Sequence, residues 1–133
     1  LGSSARIFFV NSDRSEALEL APGVHGLSNA DLDTPWPKTH RLTTVLKNHC
    51  ARGESTLEPL WSALADSTLA PDSQLPDTGV GLERERFLSA AFIVGETYGT
   101  RASTLLTIDH KGRVRMLERG FGPNGVAIGE HSM

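Results

Sequence analysis

The chain has 133 residues, 38% of them apolar, a formal net charge of -3 and a pI near 5.9. This length and composition suit a single domain over residues 1–133 with its own core and speak against a disordered tail, while the acidic balance speaks against a nucleic-acid partner. One cysteine, Cys50, rules out an internal disulfide and points to a reducing, cytoplasmic setting; the longest clean apolar runs, 7–10 and 90–94, fall far short of the ~20 residues of a membrane span, and no signal peptide is recognisable.

In chain order, residues 6–10 form a β-branched and aromatic run that predicts a buried strand, followed by a turn at 11–13. Residues 17–20 alternate and are expected to pair with it. Ala21-Pro22-Gly23-Val24 reads as a tight turn, because proline presets one turn dihedral and glycine accepts a positive φ at the next. A third strand over 24–28 then completes a meander, with His25, Leu27 and Asn29 on one face and the small set Val24, Gly26 and Ser28 on the other, where a second layer can approach closely. Asn29 ends that strand, a place where sites are often built. Asp33 or Thr34 is expected to cap a helix opened by Pro35 or Pro37.

From Lys38 the period changes. Leu42, Val45, Leu46, His49 and Cys50 repeat at helical spacing, and Gly53 supplies a stop. Ser55-Thr56-Leu57-Glu58 has the pattern of a capping box, and Leu57, Leu60, Trp61, Leu64 and Ala65 continue as a second amphipathic helix. Proline and glycine make 70–81 a loop. Residues 82–94 resume helically, with Phe87, Leu88, Ala91 and Phe92 expected inward. Residues 104–108 and 114–118 flank Asp109-His110-Lys111-Gly112 as a hairpin in which Gly112 takes the left-handed position, and 126–128 can add a short strand. Strands, then helices, then strands predict an α+β layered domain.

Several motifs fail on inspection. Gly120-Phe121-Gly122-Pro123-Asn124-Gly125 matches GxGxxG, but no helix follows it, so nucleotide binding is rejected. Asn29, Asp31 and Asp33 imitate the start of a calcium loop, yet Thr34 stands where that loop needs glycine and His40 where it needs glutamate. Cys50 lies on the helical stripe and is expected to be an inert core cysteine, and Met116, alternating with Val114, is expected in the core as well. The five histidines show no zinc or covalent-haem spacing, so no metal site and no required cofactor are expected. Two residues keep a functional reading beside a structural one. Asn29 can donate its amide to a developing oxyanion or cap a turn, and Arg86 can serve a site or make an ordinary surface ion pair.

The segments LAPGVHGLSNADLDTPWPK (20–38), LPDTGVGLERERFLSAAF (75–92) and YGTRASTLLTIDHKGRVRMLERGFGP (98–123) closely resemble the C-terminal half of the NRDE proteins, also called the transport and Golgi organisation family. The resemblance implies an N-terminal-nucleophile-hydrolase-like αββα sandwich, of which this chain is the C-terminal half, with the N-terminal half of the same protein as its partner. Gly26-Leu27-Ser28-Asn29 is similar to the segment of bile-salt and penicillin V acylases that supplies an oxyanion asparagine. Glu85-Arg86-Phe87-Leu88-Ser89-Ala90-Ala91-Phe92 is similar to their arginine-bearing segment. In those enzymes an N-terminal cysteine cleaves a non-peptide C–N amide bond with its own α-amine as base. The resemblance thus implies catalytic support from Asn29 and Arg86 and a small-molecule contact near His25, while the nucleophile lies outside this chain. It equally implies an alternative, a non-catalytic carrier of haem or another small amphiphile. An isolated half would expose sheet edges and apolar faces, so self-association is also expected.

Overall fold

The structure, a computed structural model, describes residues 6–12 and 16–133. Its longest ladder forms where the sequence alternates most cleanly. Strands β3 (Ala102–Ile108) and β4 (Val114–Phe121) pair antiparallel, with Leu105 opposite Leu117 and Leu106 opposite Met116. The expected hairpin is present, unchanged at the turn and longer at its open end by two residues on β3 and three on β4. Asp109 holds its connection: Oδ1 accepts the N–H groups of Lys111 and Arg113 at 2.8 and 3.0 Å, and Oδ2 accepts from Arg113 Nε at 2.6 Å. Gly112 has the left-handed φ of 76° that this loop requires. On the other edge of β4, strand β5 (Ala127–Ser132) extends the short strand expected at 126–128, giving the order β3-β4-β5.

Alternation divides this sheet into two faces. Ser103, Leu105, Leu117 and Arg119 share one; Leu106, Ile108, Val114 and Met116 share the other. Ile128 joins the second face, since a side chain at Gly120 would meet it at 3.2 Å. The first face lies against a helix. Leu117 and Ser103 are buried, and the Arg119 guanidinium stacks 4.2 Å above the ring centre of buried Trp61. On the second face Leu106, Ile108, Val114 and Ile128 are 56–72% exposed. Met116, expected in the core, is half-buried because its face has no cover among the described residues.

The helical layer begins with α1 (Pro37–Arg52), where Pro37 occupies the first turn and Gly53 closes the end at φ 60°. Asp33 and Thr34 do not cap it. Trp36 is the N-cap residue, and it makes no side-chain capping bond. Helix α2 (Glu58–Leu64) packs against α1 and brings Trp61 to the sheet. The capping box is not formed. Leu57 precedes the helix, Pro59 fixes its first turn, and the Thr56 hydroxyl accepts from the Glu58 N–H instead. Cys50 is exposed, contrary to the core assignment. Thr39 is the one buried residue of α1; along the C-terminal part of its stripe Leu46 and Cys50 are exposed, while the His49 side chain is only 11% exposed.

Helix α3 (Leu82–Leu88) stops six residues earlier than helical periodicity predicts. Beyond it the backbone finds other partners: Phe92 N–H bonds the Asp66 carbonyl at 2.9 Å, and Ile93 and Thr100 exchange bonds, N–H to Oγ1 and N–H to carbonyl, both at 2.9 Å. Phe92 is buried, edge-on to Phe121 at 4.7 Å, whereas Phe87, expected inward, is exposed beside Tyr98.

The N-terminal piece departs most from expectation. Strands β1 (Phe8–Phe9) and β2 (Leu18–Glu19) pair as expected but are short, and of residues 7–10 only Phe9 is buried. The turn expected at 11–13 runs into residue 13, outside the described residues, as does the start of the chain through residue 5. Residues 24–28 form no strand, so there is no three-strand meander. The reason is local. Gly26 N–H donates to Asp33 Oδ1 at 2.8 Å and the Gly26 carbonyl accepts from Asp33 N–H at 2.7 Å, so the groups a neighbouring strand would need are already used. The close approach expected at the small face does occur: a side chain on Gly26 would collide with the Thr39 methyl and meet that of Thr43 at 2.8 Å.

Candidate functional site

Between residues 28–29, the start of α1 and the inner side of α3 lies a cleft of about 230 Å³. Its chemistry comes from Asn29, Lys38, Glu85 and Ser89, with Trp36 and Tyr98 among its walls. Asn29 lies within the Gly26–Asp33 loop, whose reciprocal bonds fix the backbone that presents it; its carboxamide has no hydrogen-bond partner among the described residues. Lys38 sits in the first turn of α1. Its Nζ donates to the Leu88 carbonyl at 2.9 Å, and burial holds its pKa below the ordinary lysine value, an effect that the charge of Glu85 opposes.

Glu85 is 6% exposed, unusual for a carboxylate, and it is satisfied from one side. Thr78 donates both its N–H and its hydroxyl to the same oxygen, Oε1, at 2.7 and 2.5 Å. Ser89 Oγ donates to the Arg86 carbonyl at 2.7 Å and accepts the Ala70 N–H at 2.9 Å, tying the end of α3 to the preceding loop. One ammonium, one carboxylate and one free carboxamide therefore meet in a small, partly apolar space. Such a set can both donate to a carbonyl and accept from an N–H.

Of the three residues singled out in the sequence, Asn29 lines this cleft and Arg86 does not. Arg86 makes a two-pronged ion pair with Asp72, Nε to Oδ1 at 2.9 Å and Nη2 to Oδ2 at 2.6 Å, and this pairing holds the Asp72 carboxyl below its usual range. It thus adopts the ion-pairing role that was its structural alternative.

His25 lines an adjoining groove with Leu27, Thr39, Leu42 and Leu46; Ser28 and Lys38 belong to both spaces. Both its ring nitrogens are engaged, Nδ1 with Asp33 Oδ2 at 2.8 Å and Nε2 with the Ala21 carbonyl at 2.9 Å. A ring that gives one proton to a carbonyl and faces a carboxylate with its other nitrogen is favoured in the charged form. Asp33 accordingly raises the His25 pKa, and His25 lowers that of Asp33.

Lys38 and Glu85 were missed in the sequence. The signal for Glu85 was present, since it shares one helical stripe with Leu88 and Ser89, three and four residues on. Lys38 carried no such signal beyond its place after Trp36-Pro37. Among the described residues no group of three or more histidine, cysteine or acidic side chains could hold a metal ion, and no helix is long and apolar enough to cross a membrane.

Comparison with known proteins adds a family. The family described as Transport and Golgi organisation 2 matches residues 2–123. The Transport and Golgi organization protein 2 homolog of Bos taurus is 31% identical over 122 residues, and the homologs of Mus musculus and Homo sapiens are 29% and 28% identical over the same length. Each alignment covers 86% of this chain and 44% of the relative. The chain thus spans about half the length of the curated relatives it matches.

Proposed function

The chain belongs to the Transport and Golgi organisation 2 family, and on that premise we propose that it contributes half of an amide-cleaving site of the N-terminal-nucleophile type. In this reading the bare face of the β3-β4-β5 sheet packs on a second sheet from the remainder of a family-length protein, completing an αββα sandwich, and that remainder brings an N-terminal cysteine to the cleft. The thiolate attacks the carbonyl carbon of a non-peptide amide. Asn29 donates to the oxyanion; the C–N bond then breaks, with the proton taken up by the cysteine's α-amine passing to the leaving amine. Water afterwards hydrolyses the thioester. Arg86, held by Asp72 outside the cleft, takes no direct part in this reading, and His25 contacts the substrate from the adjoining groove. The setting is a reducing, cytoplasmic one.

The observation that carries this reading is the free carboxamide of Asn29 at the edge of a cleft that also holds a cation and an anion. In a family-length protein, Asn29→Ala is expected to lower kcat about 10²–10³-fold with little change in KM, as for loss of one oxyanion donor. Equal losses in kcat and in substrate affinity would instead indicate a binding site.

A second reading, a carrier of a small amphiphile, is favoured by the way the polar cleft opens at Ser28 and Lys38 into the apolar groove past Leu27, Leu42 and Leu46. For haem the same residues offer Lys38 to a propionate, but His25 has no free ring nitrogen for the iron. Following the Soret band during titration of family-length protein with haem tests that case.

A further inference from the structure

We propose that Lys38 and Glu85 form a charge-balanced reader for a neutral amide head group, one that admits a carboxamide and discriminates against both a carboxylate and an ammonium of the same size. The inference rests on the cleft being a ligand site, as in the proposed function, but not on turnover.

The two residues are complementary in what they leave unused. Lys38 Nζ has three N–H groups and spends one on the Leu88 carbonyl. Glu85 receives both its hydrogen bonds from Thr78 on Oε1, and no described residue donates to Oε2. A ligand in the cleft therefore meets spare donors on one side and a spare acceptor on the other. Charge then decides between ligands. A carboxylate would gain Lys38 and Asn29 but lie beside a carboxylate that is itself almost wholly buried. An ammonium would gain Glu85 but lie beside a half-buried lysine. Each would bring a like charge into a space where water screens little. A carboxamide presents its oxygen to Lys38 or Asn29 and its N–H to Glu85 Oε2, and adds no net charge. The depressed lysine pKa, caused first by burial and opposed by Glu85, agrees with two charges that sense one another across the cleft. An apolar chain on the head group has the groove past Leu42 and Leu46 to follow, since Lys38 and Ser28 border both spaces.

The test uses three probes of matched size, hexanamide, hexanoate and hexylammonium, titrated into this chain by calorimetry and followed by amide chemical shifts of residues 28–38 and 78–89. Hexanamide is expected to bind at least ~10-fold more tightly than either charged probe, a margin of about 1.4 kcal/mol. Lys38→Met should weaken hexanamide at least ~10-fold, and Lys38→Arg should restore part of the loss. Glu85→Gln is the decisive variant, because a glutamine can still accept from Thr78 while removing the negative charge; the preference should swing to hexanoate. Thermal melts of each variant separate loss of binding from loss of fold. Equal binding of all three probes, no binding of any, or an unchanged preference in a folded Glu85→Gln protein would overturn the inference. Absence of amide turnover in a family-length protein that still prefers hexanamide would sink the hydrolase reading and leave this one standing.

Discussion

Both faces of the β3-β4-β5 sheet carry large aliphatic side chains, but they live in different surroundings. On one, Leu117 is 7% exposed beneath α2; on the other, Leu106 and Ile108, from the adjacent strand, are more than half exposed. Apolar alternation thus tells which residues share a face, but not whether that face is covered, because cover comes from elements far away in the chain. A sheet with one dressed and one bare apolar face is what one half of a layered sandwich looks like, and a bare face of this kind ordinarily marks an interaction surface. The family relatives are about twice as long, which leaves ample chain to supply the second layer.

The largest expected effect contrasts the two faces directly. Trp61→Ala should destabilise the chain by about 3–5 kcal/mol, since Trp61 is buried and holds Arg119 against the sheet. Leu106→Ala on the bare face should change stability by no more than about 0.5 kcal/mol in this chain alone. Urea unfolding of both variants measures the pair; comparable losses would mean that the bare face is covered after all.

A smaller effect concerns the close approach of Gly26 to α1. Gly26→Ala places a methyl against Thr39 and Thr43 of α1 and should cost about 1–3 kcal/mol by overpacking. Thr39→Ser in the same protein should recover part of that cost by removing the nearer methyl. Failure of this rescue would show that α1 lies farther from the 24–29 segment than described.

The smallest effect belongs to the His25–Asp33 clip, which is held by charge with little burial. His25 has its pKa raised above the ordinary 6.5, so its contribution is complete below that value and fades as pH rises through the raised one. Asp33 has its pKa lowered from 3.8, so its contribution is complete above 3.8 and fades as pH falls through the lowered one. The clip should therefore be firmest between about pH 3.8 and 6.5. An imidazole titration followed by NMR should place the His25 midpoint above 6.5 in the native protein, and Asp33→Asn should bring it down.

The hairpin was legible because it rests on adjacent segments: alternation, Asp109 and Gly112 specify it without help. Gly53 was legible for the same reason. What failed depended on distant partners or on competition for backbone groups. Residues 24–28 alternate like a strand, yet Asp33 captures the Gly26 amide that a sheet would have used. Residues 89–94 keep a helical apolar pattern, but Asp66 and Thr100 take their backbone groups. Cys50 sits on the exposed edge of its apolar stripe, although His49 beside it is largely buried. In the candidate site, Asn29 was singled out as a strand-end asparagine although it stands on a loop, whereas the buried state of Glu85 depends on Thr78 and the fold of the intervening loop, which local spacing does not encode.

Hydroxyl-radical labelling read by mass spectrometry tests the central claim that the bare sheet face is a seam within a larger sandwich. The account predicts that Leu106, Ile108 and Met116 label readily in this chain and become strongly protected in a family-length protein, while buried Leu117 stays protected in both. Equal labelling of Leu106, Ile108 and Met116 in the two proteins would contradict it.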